Sequence, residues 1–134
     1  MTTPATTTHV TELRVRYVEC DPMGLAHHSA FAVWFEMGRT ELLRASGGDY
    51  RACEEAGVYL AVVNLEITYK RPARYDDVLR LDTTLDSMTH VKIIHTYRLC
   101  RDDVVVATGR SVLACLDSRG RATPIPDCIR HPGT

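Results

Sequence analysis

Ser29-Ala30-Phe31-Ala32-Val33-Trp34-Phe35-Glu36-Met37-Gly38-Arg39-Thr40-Glu41-Leu42-Leu43-Arg44-Ala45 is the stretch on which the fold turns. Phe31, Trp34, Phe35, Gly38 and Leu42 recur at i, i+3, i+4 spacing, which predicts one apolar-faced helix from Ser29 to about Ala45. Ser29 is its expected N-cap, and Ser46-Gly47-Gly48 stops it. A shorter helix is predicted over Asp49 to Ala56, opened by an Asp cap and ended by Gly57.

On both sides of these helices the period changes to two. Leu13-Arg14-Val15-Arg16-Tyr17 alternates apolar and basic side chains and predicts a strand that ends at the turn Asp21-Pro22-Met23-Gly24. Val58 to Arg71 puts Leu65, Ile67 and Tyr69 on one face before Pro72 ends the run. Leu79, Leu81, Thr83 and Leu85 share the next face, and Val91, Ile93, His95, Tyr97 and Leu99 the one after. A last strand is expected to present Val104, Val106, Thr108, Arg110, Val112, Ala114 and Leu116 together. Asp102-Asp103 signals a tight hairpin. This order gives an α+β domain with an antiparallel sheet, and with one long helix to cover it the sheet should curve around that helix. The chain reads as a single domain over 1–134, with Met1 to Thr8 and Pro124 to Thr134 as flexible tails.

Composition narrows the function classes. With 134 residues there is room for one sizeable core. The 16 Lys and Arg are scattered among 17 Asp and Glu, for a net charge of -1, which argues against nucleic acid as a partner. The basic cluster Lys70-Arg71-Pro72-Ala73-Arg74 reads as a solvated strand end or a contact for a small phosphorylated ligand. No apolar run approaches the roughly 20 residues that span a bilayer, and the Thr-rich start lacks a signal pattern, so a cytoplasmic protein without membrane contact is expected. The five cysteines contain no C-x-x-C pair and are expected to be reduced thiols. No His or Cys spacing fits a metal site, and neither metal nor cofactor is expected.

The chemistry concentrates in Glu19 to Phe31. Asp21 stands on a loop that enters the N-terminus of the most apolar helix, where unsatisfied amides and about half a positive charge suit an oxyanion or a thioester carbonyl. His28 supplies one such amide. The plainer readings are an Asp-Pro turn for Asp21 and capping or surface roles for His27 and His28. Cys20 is expected to be a buried structural thiol facing away from Asp21, and Glu36 a surface ion-pair partner near Arg39 and Thr40.

The segment Val15-Arg16-Tyr17-Val18-Glu19-Cys20-Asp21-Pro22-Met23-Gly24-Leu25-Ala26-His27-His28-Ser29-Ala30-Phe31 resembles the signature of the 4-hydroxybenzoyl-CoA thioesterase branch of hotdog-fold proteins. The likeness continues through Trp34-Phe35-Glu36, Arg39-Thr40-Glu41-Leu42-Leu43 and Tyr69-Lys70-Arg71-Pro72-Ala73 with Asp76-Asp77. It implies an acyl-CoA or acyl-carrier-protein thioester as substrate, with Asp21 attacking the thioester carbonyl or activating a water, and the His28 N–H polarising that carbonyl. Gly24, His27, Phe31 and Glu36 would line the acyl group, and Thr89, His90 and Lys92 would meet the CoA arm. His27 stands where an aromatic residue is common, and Phe31 where a tyrosine is usual. The resemblance also implies a homodimer that assembles to a homotetramer. A hotdog dehydratase acting on a β-hydroxyacyl thioester and a non-catalytic acyl-CoA-binding module remain as rival readings.

Overall fold

The computed structural model describes residues 7–133. Its elements are β1 (Thr8–Arg14), a 3-10 turn (Tyr17–Glu19), α1 (His28–Ala45), α2 (Tyr50–Glu55), β2 (Tyr59–Tyr69), β3 (Val78–Met88), β4 (Lys92–Arg101), β5 (Val104–Leu116) and α3 (Asp127–Arg130). The strands form one antiparallel sheet in the order β1-β3-β4-β5-β2, so β1 and β2 are its edges.

The predicted apolar stripe of α1 is what anchors it. Phe31, Trp34, Phe35, Gly38, Leu42 and Leu43 are all buried, and Phe31, Trp34 and Phe35 share one core cluster with Leu79 and Leu81 of β3, Tyr97 and Leu99 of β4 and Ala107 of β5. The helix lies close because two glycines allow it. A Cβ on Gly38 would overlap Thr83 Oγ1 and Leu81 Cδ2, and one on Gly109 would overlap the Phe35 ring. Phe35 in turn stacks on Tyr97 at 4.3 Å. Burying each large apolar side chain here is worth about 1.5–3 kcal/mol, which is why helix and sheet specify each other.

Several expectations are corrected. The first strand is Thr8–Arg14 rather than Leu13 to Tyr17, because the Arg16 amide donates to the Glu19 carboxylate at 2.8 Å and folds Tyr17–Glu19 into a 3-10 turn. Thr8 therefore belongs to the sheet, while residues 1–6 of the expected N-terminal tail lie outside the described residues. The face of β5 toward α1 is the opposite one: Ala107, Gly109, Ser111, Leu113 and Cys115 sit opposite Leu99, Tyr97, His95, Ile93 and neighbouring residues. A bulge at Val106 shifts the phase by one residue, and only small side chains at 109 and 111 fit under Phe35 and Tyr97. On β2, Leu65 and Tyr69 are exposed rather than buried. The two-residue hairpin at Asp102-Asp103 is as read, with Asp102 at φ 51.

The C-terminal segment is not a loose tail. Ile125 and Ile129 are buried with Ile93, Leu113, Cys115 and Cys53 in a second core cluster beneath the C-terminal end of α1. Docking of α3 on α2 brings Cys53 and Cys128 to a Cα–Cα distance of 6.3 Å, and they are joined as a disulfide. The expectation of five reduced thiols is corrected accordingly: Cys20, Cys100 and Cys115 are free. A pair 75 residues apart leaves no local pattern to read.

Candidate active site

The loop between the 3-10 turn and α1 is closed on itself by Asp21. Its N–H donates to the Leu25 carbonyl at 2.8 Å, and its carbonyl accepts from Gly24 N–H at 2.9 Å. Gly24 sits at φ +78, a conformation side chains rarely adopt. The bridges Cys20–Ala26 and Leu25–Arg74, with Ala26 N–H donating to Ala73 at 2.7 Å, pin the loop to the chain that leads into β3. Within the loop Asp21 Oδ1 accepts from the amides of Met23 at 2.8 Å and Leu25 at 3.1 Å. The turn-forming role falls to one oxygen of this side chain: Oδ1 is held, while Oδ2 has no hydrogen bond among the described residues.

The helix entry is built by His27, not Ser29 as expected. His27 is the N-cap, its Nδ1 accepting from Ser29 N–H at 3.2 Å, because an imidazole lone pair reaches the first-turn amide from that position. The Ala30 amide donates to the His27 carbonyl at 2.9 Å. That leaves the His28 N–H, the first amide of α1, without an acceptor among the described residues. The His28 carbonyl accepts from Tyr69 Oη at 3.0 Å, tying the helix start to the end of β2.

Beneath this entry lies a residue that sequence reasoning passed over. Glu19 is buried and accepts from Trp34 Nε1 at 2.8 Å, from the Arg16 amide at 2.8 Å and from the Arg16 guanidinium at 3.3 Å. Burial alone would raise its pKa, but the bonds to Arg16 and Trp34 outweigh that and hold the carboxyl below its usual value. It thus fastens the loop to the first turns of α1. The signal was present: a tryptophan on the buried face of a helix carries one N–H that must find an acceptor.

The other candidates separate. His27 and His28 are exposed, with rings 4.0 Å apart. Phe31, expected at the acyl group, is a core residue packed on Trp34 and edge-on to Tyr69. Cys20 is half-exposed rather than buried, follows the 3-10 turn instead of lying in the strand, and donates to the Arg16 carbonyl at 3.6 Å. Glu36 is exposed and makes no ion pair with Arg39 among the described residues; it lines a pocket of about 360 Å³ between α1, α2, β2 and β5. Thr89, His90 and Lys92 form the β3–β4 hairpin, where Thr89 Oγ1 accepts from Lys92 N–H at 2.9 Å. Asp21 adjoins the start of β3 and the hairpin follows its end; 11 residues of strand put these about 30 Å apart. One chain alone does not bring the two groups together. Among the described residues no helix is long and apolar enough to cross a membrane.

A five-stranded antiparallel sheet around one long helix, with an acid-bearing loop at that helix's N-terminus, is the hotdog architecture. The model of the thioesterase-like superfamily matches residues 15–132, and the chain belongs to that superfamily. It is 29% identical to the acyl-CoA thioester hydrolase YbgC of Escherichia coli O157:H7 over 106 residues, 78% of this chain and 79% of that one. Among solved structures, it is similar to the Thermus thermophilus protein TT1821, with TM-score 0.85 and 37% identity over 90% of this chain and 94% of that one. It is also similar to the DHNA-CoA thioesterase of Staphylococcus aureus, with TM-score 0.83 and 26% identity over 90% of this chain and 80% of that one. The chain is accordingly a thioester hydrolase.

Proposed function

We propose that the chain hydrolyses acyl-CoA thioesters, with Asp21 as the catalytic carboxylate and the His28 N–H as the donor to the thioester carbonyl. The observation that carries this is the pairing, on one pinned loop, of a carboxylate with a free oxygen and the first amide of α1, that of His28, which has no acceptor among the described residues. Because Oδ1 is held by two amides, Oδ2 is the atom free to act, on the carbonyl carbon or on a water beside it. Negative charge that develops on the carbonyl oxygen then meets the His28 N–H and the positive end of the helix dipole. As the C–S bond breaks, CoA leaves as the thiolate. Where Asp21 takes a proton from water, the water oxygen bonds the carbonyl carbon and the free acid forms directly, the proton passing from Asp21 to the thiolate or solvent. Where Asp21 attacks, its Oδ2 bonds the carbon and a water then cleaves the resulting anhydride to the acid and the free carboxylate. The Glu19-to-Phe31 loop and the block from Tyr69 to Asp77 favour the 4-hydroxybenzoyl-CoA thioesterase branch of the superfamily.

The working unit in this proposal is a homodimer, paired further into a homotetramer. Edge strand β2 carries exposed Tyr59, Val62, Val63, Leu65 and Tyr69, a run suited to pairing with a second copy. A partner copy would bring its Thr89, His90 and Lys92 toward Asp21, a juxtaposition one chain cannot make.

The test is His28→Pro. Proline is tolerated at the first helical position and His27 already has φ -64 and ψ 145, so the substitution deletes one N–H and leaves the helix. Thiol release from a panel of acyl-CoA thioesters should fall about 100-fold or more in kcat. A fold intact by circular dichroism with unchanged kcat would remove the amide from the mechanism.

A further inference from the structure

The C-terminal half of α1 roofs a second concavity that the proposed chemistry does not use. An inner recess of about 40 Å³ is walled by apolar residues such as Leu42, Ile93 and Ile129, and it shares Arg39 and Tyr50 with the outer pocket of about 360 Å³. Its polar lining is Arg39, Arg130, Tyr50, His95 and Ser46, with no carboxylate among them. Two of these are already engaged: Arg130 donates to the Thr89 carbonyl and Ser46 Oγ to the Leu42 carbonyl. Arg39 has no ion-pair partner among the described residues. His95 is 5% exposed, and its Nδ1 makes no hydrogen bond.

A buried ring nitrogen without a partner is costly unless something fills the recess, and on the same wall the half-exposed Arg39 guanidinium makes no ion pair among the described residues. Burial, then Arg39, pushes the His95 pKa down to about 4, so the ring is neutral and keeps one N–H to give. Burial pushes Tyr50 up to about 12, which keeps its phenol a donor. The group that matches an unpaired arginine flanked by neutral donors is an anionic oxygen pair. The outer pocket is less selective, since its lining mixes the carboxylates of Glu36, Asp49 and Glu54 with the arginines. Charge selection therefore belongs to the inner recess.

We propose that this recess receives a carboxylate at the far end of the acyl group, with Arg39 as its ion-pair partner and His95 and Tyr50 as neutral hydrogen-bonding groups, so that the substrate is an ω-carboxyacyl thioester. The proposal rests on the thioesterase reading and names its substrate class. Arg39 lies 11 residues beyond His28 on the same helix, about 16 Å along its axis. That is the reach of an extended acyl chain rather than of a single ring.

The test uses two non-hydrolysable CoA thioethers of equal chain length, one ending in a carboxylate and one in a methyl group. Their binding to the full-length chain, to Arg39→Met and to His95→Phe is measured by calorimetry, and hydrolysis of the matching thioesters is followed in parallel. The wild type should bind the carboxylate-ended thioether about tenfold or more tightly than its methyl counterpart. Arg39→Met should abolish that preference and His95→Phe weaken it, with binding of the methyl-ended thioether changed by less than about threefold. Equal binding of the two thioethers by the wild type, the result expected if the recess holds only water, would overturn the proposal. So would a preference that survives Arg39→Met, or an equal loss of both ligands. A binding preference without any hydrolysis would uphold the recess while counting against the thioesterase reading.

Discussion

Replacing His95 by Phe should change how stability depends on pH, by an amount that its surroundings define. The ring is 5% exposed, shares its recess with Arg39, Tyr50 and Arg130, and lies 6.3 Å from the Tyr97 ring. Burial, reinforced by the Arg39 charge, lowers its pKa from 6.5 to about 4. The folded chain therefore prefers the neutral ring, while the unfolded chain takes up the proton near pH 6.5. The stabilisation is complete above that pH and is lost as pH falls from 6.5 toward about 4. At 1.36 kcal/mol per unit this is about 3 kcal/mol across the window. Arginine and tyrosine side chains exchange no protons near pH 5, so the neighbours facing the ring do not mask the effect. Urea unfolding of wild type and His95→Phe between about pH 7 and about pH 4 gives two curves. Their difference should shift by about 3 kcal/mol in favour of the variant on acidification, whatever constant offset the packing of Phe adds. Parallel curves would refute the reasoning.

Two further predictions concern the scaffold of the site and the C-terminal segment. Glu19→Ala strands the Trp34 indole N–H and the Arg16 amide in a buried place, which should cost about 2–5 kcal/mol by denaturant unfolding; because the Glu19 pKa is lowered in the fold, the difference from wild type should be full above the unfolded carboxyl pKa and shrink as pH falls below it. Cys53→Ser opens the Cys53–Cys128 bridge and should lower stability by about 2–4 kcal/mol, and thiol titration of the unreduced, denatured wild type should find three free cysteines rather than five.

The parts of the fold that were legible in the sequence are those set by period. The i, i+3, i+4 stripe from Phe31 to Leu42 defines α1, and Leu79, Leu81 and Thr83 with Ile93, His95, Tyr97 and Leu99 were read on the face they occupy. The phase of β5 was not legible, because a bulge at Val106 flips it and the residues facing the helix include Gly109 and Ser111, which no apolar count would choose. The Asp21 loop was readable as a turn at a helix entry, yet the N-cap fell to His27, a residue type rarely chosen for that task. The recess was invisible for a different reason. Arg39, Tyr50 and His95 come from three elements, and nothing in their sequence spacing joins them until the folded chain brings them together with Ile129. The disulfide depends on the same docking.

The measurement that tests the central claim most directly is single-turnover thiol release from an acyl-CoA thioester by wild type and Asp21→Asn. Asparagine keeps an Oδ1 acceptor for the Met23 and Leu25 amides, so the loop retains its shape while the carboxylate is lost. The account predicts a fall of about 1,000-fold or more in the chemical step with thioester binding retained. Turnover by Asp21→Asn at the wild-type rate would contradict it.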